Sequence, residues 1–293
     1  MRIFKKEFYL LLLLVFTAIG CKKYLDIVPD NVATIDLAFK MRADAEKYLF
    51  TVYNNLPSFG SDGADPGFLT GDEFAIIYPV FRDINPQMYR IARGEQNIVS
   101  PIANFWDGKY FSALRECNIF LENVDKVRDL NSLDKKRWIA EVKFLKAYYH
   151  YYLLRMYGPI PIIKENLPIS ASVEEVKVKR EHVDSVFNYT VSLIDEAIAD
   201  LPTVLPLEFS ELGRITKPIA MSIKAEILMT AASPLYNGNP NYANFKNKTG
   251  EPLFSTTADP EKWKKAAEAC RLAIEACHGN GHKLYEFVPR TVS

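Results

Sequence analysis

The sequence predicts an all-α protein, a tetratricopeptide-like solenoid of helix pairs interrupted by long ordered loops. Three observations predict it. Apolar residues recur in steps of three and four through block after block of the chain, the spacing that lays one stripe along a helix. Gly or Pro stands where stripes end, at Gly158-Pro159, Pro202 and Gly279. No strand series or hairpin repeat accompanies them. Amphipathic helices of this kind cannot bury their faces alone, so consecutive ones are expected to stack as antiparallel neighbours, although no strict repeat consensus is visible.

The elements follow in order. Arg2, Lys5 and Lys6 precede an apolar run from Phe8 to Ile19, too short to span a bilayer and right for a signal-peptide core. It ends in Ala18-Ile19-Gly20-Cys21, small residues leading into a cysteine, which resembles a lipobox. Residues 1–20 are therefore expected to be a lipoprotein signal peptide and Cys21 the lipidated residue. Each buried lipid CH₂ contributes roughly 0.8 kcal/mol, so several chains on one cysteine hold firmly. Short stretches at 36–56 and 217–232 read as helices. Longer stripes run from Trp106 through Tyr110, Ala113, Cys117 and Phe120 to Val124, and from Trp138 through Val142, Leu145, Tyr149 and Tyr152 to Met156. Two more run from Val183 to Leu201 and from Trp263 to Cys277. Trp106 and Trp138 open their stripes and read as core anchors. Small residues such as Ala113, Ala197, Ala225 and Ala267 allow close helix approach. Residues 57–104 and 233–258 are loops rich in Gly, Pro and Asp. Their aromatics, among them Phe59, Phe68, Tyr78, Phe81 and Tyr89, point to order and to a function.

Composition narrows the function classes. The 293 residues carry 36 basic and 36 acidic side chains, so no bulk field holds nucleic acid. Aromatics are plentiful, with 16 Tyr and 18 Phe. Tyr has an apolar body and a polar tip, which suits wet interfaces and sugar-stacking surfaces as well as helical cores. Beyond Cys21 the cysteines are Cys117, Cys270 and Cys277, an odd set on apolar stripes that reads as small buried hydrophobes rather than a disulfide framework.

Enzymatic signatures are missing. There is no phosphate loop, dinucleotide fingerprint or nucleophile elbow. His278 and His282 follow Cys277, but Gly279 and Gly281 break the helix that would align them on a metal, so a solvated helix end is expected. Asp72-Glu73 are adjacent and do not face each other across a sugar. With Asp62 and Asp65 they read as a solvated acidic loop, with oxygen ligation of Ca²⁺ as the alternative. Asn118 falls among Phe111, Leu114 and Leu121, so it is expected to be buried and hydrogen-bonded. Tyr78, Arg82, Tyr89 and Arg90 combine aromatic faces with donors in one loop and are the candidate ligand-binding residues. No cofactor and no metal are expected.

The residues also resemble a known family. Tyr24-Leu25-Asp26-Ile27-Val28-Pro29 follows the lipobox. Trp106-Asp107-Gly108-Lys109-Tyr110 leads to Asn118-Ile119-Phe120-Leu121. Glu141-Val142-Lys143-Phe144-Leu145-Lys146-Ala147-Tyr148-Tyr149 continues to Tyr157-Gly158-Pro159-Ile160-Pro161. Gly213-Arg214-Ile215-Thr216-Lys217 precedes Ala232-Ser233-Pro234-Leu235-Tyr236. In that order the motifs resemble the SusD/RagB family, with Lys146 where the family commonly has Arg. The resemblance implies four tetratricopeptide-like helix pairs and a non-catalytic, surface-facing, lipid-anchored protein of the outer membrane. Such a protein captures oligosaccharides and passes them to a SusC-like TonB-dependent transporter. Residues 21–293 would form the helical domain, cut short before a loop-rich C-terminal half that contributes much of the ligand site, and would by themselves bind glycans weakly or not at all. A helical-repeat scaffold without a ligand of its own is the alternative, since fold does not decide function.

Overall fold

Asn131 starts the longest helix among the described residues, and its side chain shows why. In the computed structural model its Oδ1 accepts the backbone N–H of Asp134 at 2.8 Å, an N-cap that satisfies one of the helix's orphan donors. The helix therefore begins at Ser132, ahead of the first residue of the apolar stripe at Trp138. The structure describes residues 35–57, 69–71, 88–99, 101–102, 106, 108–205, 209–285 and 287. Cys21, Tyr78, Arg82 and the acidic residues Asp62, Asp65, Asp72 and Glu73 lie outside them. The chain divides into two units, 1–38 and 39–293. Of the first, the described part is the short helix Ile35–Ala38 (α1).

The second unit is helical. Its described helices are Arg42–Tyr53 (α2), Tyr89–Ala92 (α3), Lys109–Asn123 (α4), Ser132–Tyr157 (α5), Val183–Asp200 (α6), Lys217–Ala232 (α7) and Glu261–Gly279 (α8). Among the described residues there is no strand, and the β pairing is confined to an isolated bridge between Lys246 and Pro252. Each long helix packs on the next, α4 on α5, α5 on α6, α6 on α7 and α7 on α8, while α2 lies against α4 and α5.

The register of the pairs follows from side-chain partners. Along α5 and α6, Lys143 pairs with Glu196 and His150 meets Tyr189 edge-on, so one chain rises as the other falls. Tyr110 packs on Tyr149 and Tyr152 while Lys135 pairs with Asp125 just beyond the end of α4, which makes α4 and α5 antiparallel. Ser222 lies by Cys277 and Met229 by Cys270, so α7 and α8 are antiparallel too. Stacked antiparallel neighbours are the expected tetratricopeptide-like arrangement.

Burial sorts the helices by position. From Ala140 to Leu154, α5 is buried on nearly every face except at Lys143, which makes it the central helix. Its tyrosines reconcile that burial with a polar tip: Tyr149 donates to the Val52 carbonyl at 2.6 Å, and the Tyr151 hydroxyl meets Thr230 Oγ1 at 2.8 Å. At the other end of the stack, α7 and α8 meet through Ala225, Ala269 and Ala273, with Met221, Leu228 and Cys270 packed against them. Alanines at the seam let the helices approach closely.

Several expectations meet their test here. Trp138 is 1% exposed and anchors the core. Trp106, expected in the core, is only half-buried, because it precedes α4 instead of starting it. Cys117 is buried, but Cys270 and Cys277 are half-buried, since α8 is the outermost described helix and covers only one face. Asn118 is buried, and its amide donates to Asn166 Oδ1 at 3.4 Å while its own Oδ1 has no partner. Gly281 has a positive φ of 78°, and His282 N donates back to the Cys277 carbonyl at 3.0 Å, the helix-end turn expected after α8.

Candidate functional site

Two constellations of polar and aromatic side chains stand out, and burial tells them apart. The first is enclosed. Glu141 is 0% exposed, and its Oε1 accepts Arg137 Nε at 2.9 Å while Oε2 accepts Arg214 Nη2 at 3.0 Å. Tyr53 donates to the same Oε2 at 2.8 Å, and Ile215 N donates to the Tyr53 hydroxyl at 3.2 Å. Glu211 binds both arginines, at 2.9 and 3.1 Å. Burial pushes the Glu141 carboxyl upward, and Arg214, Tyr53 and Arg137 oppose it. Arg137 Nη2 is left without a hydrogen-bond partner. The network ties α2, α5 and the segment before α7 together. It involves Glu141 and Gly213-Arg214-Ile215, two of the motifs picked out in the sequence. With Glu141 sealed from solvent, no substrate reaches its carboxylate, so the constellation is a clamp.

Lys146 has a comparable role. It is buried at 3% exposure and donates to the Lys164 carbonyl at 2.6 Å, while burial lowers its pKa. One turn on, His150 Nδ1 lies 2.8 Å from the Lys146 carbonyl and its Nε2 accepts Ile163 N at 3.1 Å. That geometry fixes the proton on Nδ1. Burial pushes the imidazole down to about 4, so it is neutral at physiological pH. Together these groups pin the exit from α5 back onto the helix at Ile163 and Lys164, just after Pro161.

That pinned exit forms one wall of the second constellation, which is open. Gly158 turns the chain with a φ of 68°, and the return segment pairs Glu181 N with the Ile160 carbonyl at 3.1 Å. Arg180 is thereby held beside Trp106, its guanidinium 5.0 Å from the indole and 6.0 Å from Phe245. Trp106 in turn packs edge-on against Phe111 and Tyr157, both at 5.2 Å. On the opposite wall, the segment between α7 and α8 folds on Asn247, whose Oδ1 accepts Thr249 N and Glu251 N at 3.0 and 2.9 Å. Leu253 N donates to the Phe245 carbonyl at 3.0 Å, and Val183 N to the Leu253 carbonyl at 3.0 Å. Phe254, stacked on Tyr242 at 4.3 Å and on Tyr236 at 6.2 Å, backs Phe245 with an aromatic column. Lys179 staples the walls through Glu251 at 2.7 Å. Hydrogen bonds from Lys179, Asn247 and Thr249 hold the Glu251 carboxyl down to about 2.

Between the walls lies a pocket of ≈ 540 Å³ with Trp106, Phe111 and Phe245 among its lining residues, within the size range of small-ligand sites. Phe245 is 39% exposed and Trp106 half-buried, so both present surface to a ligand.

The residues expected to bind ligand are placed only in part. Tyr89 and Arg90 sit half-buried on α3, where Arg90 Nε pairs with Glu95 at 2.8 Å. Neither lines the pocket. Tyr78 and Arg82 are outside the described residues. Of the tyrosines in the second loop, Tyr236 is buried at 5% exposure and Tyr242 supports the column. Sequence reasoning missed Arg180 and Phe245. The local signal was the run of cations and aromatics at Val178-Lys179-Arg180 and Phe245-Lys246-Asn247-Lys248, but nothing local joins two segments so far apart.

Comparisons with known proteins come to the same fold. The SusD-like family model, described as starch-binding and associating with the outer membrane, matches residues 23–229. SusD-like protein P25 of Formosa agariphila is 23% identical over 239 residues, which cover 74% of this chain and 41% of that protein. Among solved structures, BT4246 is 29% identical with a TM-score of 0.73, over 85% of this chain and 42% of its own. A laminarin binding SusD-like protein aligns with a TM-score of 0.52 at 17% identity, over 69% of this chain and 45% of its own. The chain thus spans about two-fifths of the length of the first two relatives.

Proposed function

This chain belongs to the SusD-like family, and from that premise we propose that it is a lipid-anchored, surface-facing protein of the outer membrane that captures oligosaccharides. It delivers them to a SusC-like TonB-dependent transporter. The observation that carries the capture reading is the pocket walled by Trp106 and Phe245 with Arg180 between them. Sugar rings have apolar C–H faces that stack on aromatic rings and hydroxyls that need donors and acceptors. This pocket supplies both on walls joined by the backbone bond from Val183 N to the Leu253 carbonyl, which lessens the ordering that opposes binding.

The family is described as starch-binding, and capture without catalysis is part of the proposal. Tyr78, Arg82, Tyr89 and Arg90 are a second proposed set of ligand contacts, from the first loop. Anchoring is proposed at Cys21, consistent with the absence, among the described residues, of any helix long and apolar enough to cross a membrane.

The test is affinity electrophoresis and calorimetry of residues 21–293 on a panel of plant, algal and host oligosaccharides. Weak binding, in the millimolar range for this span, is expected for at least one member, and Trp106→Ala and Phe245→Ala should each abolish it. Tyr78→Ala and Tyr89→Ala measure the share carried by the first loop. Binding that survives both pocket substitutions would place the site elsewhere, and a panel without a single binder would remove the capture reading.

A further inference from the structure

The charge of the pocket has a sign, although the chain as a whole has none. Among the described residues its lining includes Lys179, Arg180, Lys246 and Lys248 and no Asp or Glu, in a protein with 36 basic and 36 acidic residues. Of the carboxylates near it, Glu251 is committed to Lys179 at 2.7 Å, and Glu181 adds its field at the same lysine. Arg180 gives one long hydrogen bond to the Tyr157 carbonyl at 3.4 Å and otherwise lies against the rings of Trp106 and Phe245. Lys246 and Lys248 form no ion pair among the described residues. Elsewhere the helices pair their inter-element lysines, as at Lys143–Glu196, Lys224–Asp195 and Lys262–Asp184. The pocket therefore keeps a local surplus of positive charge beside two aromatic faces.

We infer that the ligand is an anionic oligosaccharide, one carrying sulfate esters or uronate carboxylates; the inference rests on the capture reading above. The chemistry fits the placement. A guanidinium held against an indole has its planar fork pre-oriented, and that fork matches the paired oxygens of a carboxylate or sulfate. The two lysines on the mobile-ended side chains of the opposite wall act as point charges that accept an anion in several orientations. Trp106 and Phe245 stack the sugar ring, while Arg180, Lys246 and Lys248 read its charge. A neutral glycan would leave those cations without the partner that the pocket lacks.

The experiment uses residues 21–293 and two matched pairs of probes, an oligogalacturonide with its methyl ester, and a sulfated β-1,3-glucan oligosaccharide with its unsulfated parent. Calorimetry at low salt should show at least one charged member binding about tenfold or more tighter than its neutral partner. That preference should shrink as salt screens the contact. The pair that shows it distinguishes a carboxylate from a sulfate ligand. Arg180→Gln, and separately the exposed-loop double change Lys246→Gln with Lys248→Gln, should abolish the preference, with thermal melts confirming that each variant folds. Equal binding of charged and neutral partners would overturn the inference and leave glycan capture standing. Charged members that bind regardless of Trp106→Ala, and are displaced equally by inorganic sulfate, would overturn both, because the pocket would then be reading charge alone. No binding of any of the four probes would also overturn the inference.

Discussion

Replacing Glu141 by Gln leaves Arg137 and Arg214 facing an amide where they now face a carboxylate. Both guanidiniums are nearly sealed from water, with side-chain exposures of 9% and 5%, and Glu141 has 0%. Breaking a buried pair by removing one partner costs about 3–5 kcal/mol, since the charge left behind is neither solvated nor compensated. The hydrogen bonds lead to the same size. Glu141 accepts from Arg137 Nε, Arg214 Nε, Arg214 Nη2 and Tyr53; a Gln oxygen can serve one arginine, and its NH₂ then points donors at the other. Losing two charge-assisted bonds costs roughly 1.5–3 kcal/mol each. Glu211 still holds both Nη1 atoms, so the lower end, about 3 kcal/mol, is expected. Urea denaturation followed by circular dichroism at pH 7 reads this directly, alongside Lys143→Ala, which breaks the exposed Lys143–Glu196 pair and should cost about 0–1 kcal/mol. The double variant Glu141→Gln with Arg214→Met should recover part of the loss, because it removes one of the stranded charges. A Glu141→Gln protein as stable as Lys143→Ala would refute the clamp.

The other predictions concern different links of the chain. His150 has its pKa depressed from 6.5 to about 4, so the unfolded chain takes up the proton first. Its contribution is complete above pH 6.5 and lost as pH falls toward 4, about 3 kcal/mol over that window. In parallel urea titrations His150→Gln should lose less stability than the parent between those pH values, and parallel curves would contradict the neutral buried imidazole. Leu145→Ala empties a fully buried site on α5 and should cost roughly 2–5 kcal/mol, against about ±0.5 kcal/mol for exposed Lys136→Ala; equal effects in chemical denaturation would be inconsistent with a packed helix stack. Cys21→Ala should abolish palmitate incorporation and release the protein from outer-membrane fractions, and normal labelling of that variant would discard the lipobox.

The sequence by itself determined the long helices and their order, because a stripe at helical spacing is a local property that survives without knowledge of neighbours; the single-turn helix Tyr89–Ala92, inside a stretch read as loop, is too short to show such a stripe. The core residues Tyr110, Cys117, Phe120, Trp138, Leu145 and Tyr149 could all be read from it. So could the helix ends at Gly158 and Gly279 and the motifs at Glu141 and Arg214, but only the folded chain shows that those last two motifs are one clamp. Boundaries slipped where capping, not burial, sets them, as at Asn131. Tertiary structure alone decided the candidate site. Trp106, Arg180 and Phe245 belong to three segments separated by whole helices, and each is unremarkable in its own stretch: a tryptophan before a helix, a cation in a polar connection, a phenylalanine in a loop. What brings them together is the antiparallel stacking of α5, α6, α7 and α8, which sets the two long connections side by side. Stacking is a matter of complementary faces and crossing geometry between distant elements, and no local pattern along the chain encodes which loops will become the walls of one pocket.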